Sequence, residues 1–152
     1  MFDILVFLFE NCLQADLKQD SGMVARKLSA AGFEHSDINE TLAWLAGVVH
    51  AAHYACAPLP ASSRALRAFA PRECAKLDAE CRGFLISLEG SEILDPELRE
   101  LVIDRALAAS AHTLSLDQLK LIVLMVLWNQ QTPTSRLIAE DLLCAQAQRL
   151  TH

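Results

Sequence analysis

A broad positive surface is the first thing this chain lacks. Thirteen Lys and Arg stand against nineteen Asp and Glu, a net charge of −6, and an acidic protein is a poor counterpart for the phosphate backbone of a nucleic acid. A membrane helix needs about 20 apolar residues, and the run of eight from Leu121 to Trp128 falls well short of that. The five cysteines (Cys12, Cys56, Cys74, Cys81, Cys144) are odd in number and lack paired short spacings. They read as reduced thiols of a cytoplasmic protein rather than a disulfide framework. The apolar start has no positive region, carries Asp3, and is closed by Glu10 after six apolar residues. It is therefore read as a mature helix and not as a secretion signal. There is no internal repeat, no low-complexity tract and no alternating pattern that would build a sheet. No Ser-His-Asp pattern, phosphate loop or His-Glu-x2-His motif appears, so no reaction class is indicated and the chain is expected not to be an enzyme.

What is present is helical periodicity in a chain that is 53% apolar and 21% charged, a balance that excludes disorder. The organising stretch is Ser115–Asn129. Ser115 and Gln118 have the spacing of a capping box, which opens a helix at Leu116. Asp117 and Lys120 give it a short polar edge, and beyond them the helix is apolar all round, so it is expected to be buried on every side. The fold class that follows is all-α: a single-domain bundle of about seven helices around a buried central helix, 116–129. The other helices are read at about 2–14, 23–31, 38–55, 71–88, 96–109 and 135–149. Gly32 is the expected stop of the second, with Phe33 folding back as an apolar clip. Asp37 with Glu40 opens the third, Pro71 and Glu73 the fourth, and Asp95-Pro96-Glu97 the fifth; Gly90 is expected to end the fourth. Residues 1–56 thus form an N-terminal three-helix part, 57–70 a linker with two prolines and two serines, and 71–152 a C-terminal helical part.

Three places in the sequence could carry chemistry or binding. His50, His53 and Cys56 have metal-like spacing, but Cys56 falls 120° behind His50 on a helix and no second ligand pair exists, so no metal or cofactor is expected. Cys74 and Cys81, seven apart in one helix, lie about 10 Å apart along its axis. That is too far for a disulfide, and their shared face with Leu77, Phe84, Leu85 and Leu88 makes them small buried hydrophobes. The third place is the helix containing Gly83, where a mid-helix glycine costs about 1 kcal/mol against alanine. Gly83 points away from the cysteines, beside Arg72, Lys76 and Ala79, and another helix of the same chain is expected to pack closely on it. The charge pattern singles out the same region: residues 61–82 are net +2 between arms of −4 each. Arg64, Arg67, Arg72, Lys76, Arg82 and Gly83 are accordingly the candidate partner-binding residues.

The Leu28–Phe33 corner followed by Ile38 and Leu42 resembles the first two helices of ubiquitin-associated-type modules and, loosely, a helix-turn-helix. Such corners are common in helical proteins, and no function is taken from this one. A resemblance of wider span rests on Met1-Phe2-Asp3 with Phe7-Leu8-Phe9-Glu10, on Ala31-Gly32-Phe33, and on Leu119-Lys120 through Val126-Leu127 with Asn129. Its most distinctive part is Cys74-x2-Leu77-Asp78-x2-Cys81-Arg82-Gly83-Phe84-Leu85. In this order, over nearly the whole chain, the sequence resembles the bacterial Smg family. The resemblance implies a cytoplasmic protein without an assigned biochemical activity, whose genes often neighbour that of a DNA-processing protein. The His50/His53/Cys56 set is not part of that family's pattern. The expected function is a non-enzymatic adapter docking one unidentified protein partner, away from membranes. The alternative is an accessory protein in DNA processing that uses the basic 64–82 segment, which the net charge disfavours.

Overall fold

A computed structural model describes residues 1–12, 21–54 and 67–129. These hold seven helices and no strand: α1 Phe2–Cys12, α2 Ser21–Ala30, α3 His35–Tyr54, α4 Pro71–Lys76, α5 Ala79–Gly90, α6 Pro96–Ala108 and α7 Leu116–Asn129. The protein is an all-α single domain, as its periodicity predicts. The expected helix at 135–149 and most of the 57–70 linker lie outside the described residues. The tally of seven is reached differently, because the helix expected over 71–88 is two helices.

α7 is the centre. Its capping box forms as its spacing requires: the Ser115 N–H donates to Gln118 Oε1 at 3.1 Å and the Gln118 N–H to Ser115 Oγ at 3.3 Å. From Leu121 to Leu127 every residue is buried, each contributing about 1.5–3 kcal/mol relative to exposure. Helices α1, α3, α5 and α6 pack around it. α1 lies between two apolar clusters, with Leu5 and Phe9 in the main core and Ile4 and Leu8 in a smaller one with Leu28 and Ile38. Asp3, Val6 and Glu10 form its exposed edge. Phe9 meets Trp128 edge to face at 5.7 Å, joining α1 to the end of α7.

The α2–α3 corner is closed by a Schellman motif. Gly32 adopts φ +93°, where a glycine carries no Cβ penalty. The Phe33 N–H donates to Leu28 O at 3.2 Å and the Gly32 N–H to Ser29 O at 3.1 Å. Phe33 does fold back, reaching the Phe7 ring at 5.5 Å, so the corner's aromatic is occupied inside the protein. α3 opens a turn earlier than Asp37 signals, with the Ile38 N–H donating to Glu34 O at 3.0 Å.

The division of the 71–88 segment has a clear cause. Leu77 is extended (φ −108°, ψ 111°) and fully buried, and it makes an isolated parallel bridge with Leu114. The Lys76 carbonyl, which would otherwise continue the helix, accepts the Leu114 N–H at 2.9 Å. Asp78 then restarts the chain as an N-cap, its Oδ1 accepting the Cys81 N–H at 2.8 Å. That hydrogen bond holds the Asp78 carboxyl below its ordinary pKa. At the other end, α5 stops at Gly90 as expected, but Gly90 is not the left-handed residue of the closing turn. Glu92 takes the left-handed conformation (φ 58°), while the Ile93 N–H donates to Leu88 O and the Glu92 N–H to Glu89 O, both at 3.0 Å. The close-approach glycine is Gly47 in α3, where a Cβ would lie 1.8 Å from Arg105 Nη1. The Trp44 indole N–H fastens the same two helices by donating to Arg105 O at 2.9 Å.

Candidate functional site

Two cations of the basic segment, Arg67 and Lys76, are turned inward. Arg64 lies outside the described residues. Arg67, on the extended 67–70 stretch, grips two carboxylates at once. Its Nη1 and Nη2 donate to Glu73 Oε2 and Oε1 at 2.8 and 3.0 Å, and its Nε and Nη2 donate to Glu100 Oε1 and Oε2 at 2.5 and 2.8 Å. Both pairs are bidentate, the strongest geometry open to arginine. Glu73 Oε2 also accepts the Ala70 N–H at 2.8 Å, which caps the start of α4. Arg99 extends the network, donating to Glu100 Oε1 at 2.9 Å from Nη2 and to Glu89 from Nη1. Arg67 therefore ties the end of the expected linker to α4 and α6.

The electrostatics follow from this geometry. The hydrogen bonds from Arg67 outweigh burial and hold the Glu73 carboxyl down at about 2. Burial opposes ionisation of Glu100, but hydrogen bonds from Arg67 and Arg99 prevail and lower its pKa as well. The two carboxylates, Glu73 foremost, keep Arg67 charged.

Lys76 is half-buried, and burial lowers its pKa. Its ammonium donates to Leu107 O at 3.0 Å and to Ala109 O, satisfying carbonyls at the end of α6 where a cation also complements the helix dipole. Arg82 does not pair with the Asp78 carboxylate four residues earlier. Its Nε donates to Asp78 O at 3.2 Å, its Nη1 approaches Cys74 Sγ at 3.1 Å, and its guanidinium lies 6.0 Å from the Phe69 ring. Arg67 sits over the same ring at 5.1 Å. Arg72 is exposed on α4.

Cys81 is fully buried, and burial above all pushes its thiol up to about 12. It is a buried hydrophobe, as expected. Cys74 is half-buried and differs from Cys81, because the α4–α5 break removes the helix face the two were expected to share. Its thiol borders a cavity of about 510 Å³ lined by Cys74, Ala75, Asp78, Thr113, Leu114, Ser115 and Gln118. His50 is exposed, whereas Cys56 lies outside the described residues. Among the described residues no three His, Cys, Asp or Glu side chains gather in a way that could hold a metal ion. Nor is any helix among them long and apolar enough to cross a membrane.

Gly83 departs from expectation. It is exposed, and a Cβ built there meets no described atom within 4 Å. The neighbouring helix expected on it is absent from the described residues. At 100° per residue, Ala79, Glu80, Ile86, Ser87 and Gly90 lie within 60° of Gly83, and all six residues are exposed. Ile86 is 44% exposed. One helix of an otherwise well-packed domain thus presents a nearly uncharged face of short side chains with a single large apolar residue.

Full-length matches to known sequences define the class. The model of a family described as "Protein of unknown function (DUF494)" matches residues 1–152, and the chain belongs to that family. Relatives named "Protein Smg homolog" are similar to it from end to end. That of Azoarcus sp. (strain BH72) is 50% identical over 146 residues, covering 94% of this chain and 92% of the relative. That of Aromatoleum aromaticum is 48% identical over 150 residues, covering 99% and 97%, and that of Bordetella pertussis is 40% identical over 152 residues and covers both chains fully. The resemblance carried by the Cys74–Leu85 stretch and its companions is therefore a true family membership. No solved structure matches the chain.

Proposed function

We propose that this protein is a non-enzymatic cytoplasmic adapter that docks a helix of a protein partner on the exposed face of α5. The observation that carries this reading is Gly83. A mid-helix glycine costs about 1 kcal/mol in helix stability, and among the described residues no close internal contact offsets that cost. With short side chains at Ala79, Ser87 and Gly90 beside it, a second helix backbone can approach closely, and the exposed Ile86 supplies apolar surface for a partner to bury. The alternative, a DNA-processing accessory protein, draws less support. Arg67 and Lys76 direct their charges to internal carboxylates and carbonyls, which leaves fewer cations for phosphates on a chain of net charge −6.

The test is affinity capture from a bacterial lysate with wild-type protein, Ile86→Glu, Gly83→Leu and the control Asn39→Ala, each checked for a wild-type melt. A discrete captured protein that is retained by Asn39→Ala and lost with both α5 variants is the expected result. Capture undiminished by both would overturn the α5 reading. In parallel, titration with single-stranded and duplex DNA at two salt concentrations should show no binding; binding that weakens steeply with salt would favour the alternative.

A further inference from the structure

We draw no further inference here: the strongest candidate, the cavity between the α4–α5 break and residues 113–118 that the half-buried Cys74 lines, rests on a lone cysteine, with no second feature among the described residues that points to an occupant.

Discussion

Replacing Arg67 by methionine removes the guanidinium that neutralises Glu73 while keeping much of its apolar stem. The Glu73 side chain is only 7% exposed and that of Arg67 19%, so this is not the exposed pair whose loss costs about 0–1 kcal/mol. Removing one partner of a buried pair costs about 3–5 kcal/mol, because the remaining charge is left uncompensated. Glu73 keeps its hydrogen bond from the Ala70 N–H, which places the expected loss at the lower end, about 3 kcal/mol. For a domain of this size each kcal/mol moves the melting temperature by about 2–4 °C, so Arg67→Met should melt about 6–12 °C lower at pH 7.

The pH dependence supplies a second readout. In the wild type the folded-state pKa of Glu73 is depressed from 4.5 to about 2. Its stabilisation is therefore complete above pH 4.5 and is lost as pH falls from there toward 2. In Arg67→Met the carboxyl is buried without a cation, so its folded-state pKa moves above the ordinary value and protonation relieves the strain. The gap between the two proteins should narrow as pH falls from 7 toward 3, and Arg67→Met/Glu73→Gln should recover most of the loss at pH 7. Melting curves followed by circular dichroism across that range decide the matter. A single variant within about 1 °C of wild type, as for a surface pair, or a gap that widens in acid, would refute the reasoning.

Gly83→Ala should raise stability by about 0.5–1 kcal/mol, since the added methyl meets open space and alanine is the better helix former; a lower melting point would reveal a neighbour pressed against α5. Glu92→Gly should also stabilise, by about 0.5–1 kcal/mol in urea titration, by relieving a left-handed conformation that costs an L-residue about 1–2 kcal/mol. An unchanged midpoint would mean that Glu92 bears no strain. Leu124→Asp should abolish the cooperative melt, because an unpaired charge in a dry core costs several kcal/mol out of a typical total of about 5–15. A melt near the wild-type temperature would show that α7 is peripheral.

The elements legible in the sequence are those whose signals act within a few residues. The Ser115–Gln118 box and the Asp95-Pro96 start bond to backbone groups of their own first turn, so spacing alone predicts them. The Gly32 stop is local in the same way, and the unbroken apolar run Leu121–Trp128 admits only a buried position for α7. Family membership was legible too, in the ordered motif around Cys74–Leu85. Tertiary contacts decided the rest. The α4–α5 break depends on Leu77 bridging Leu114, 37 positions away, and Asp78, the N-cap of the restarted helix, is the local sign of a helix former taken out of its helix by a distant partner. Two cations of the basic cluster counted in sequence are engaged inside the fold, because Glu100 and the end of α6 come to meet Arg67 and Lys76. Two glycines exchange roles for the same reason: whether a missing Cβ matters depends on what lies opposite, and that is Arg105 at Gly47 and open space at Gly83.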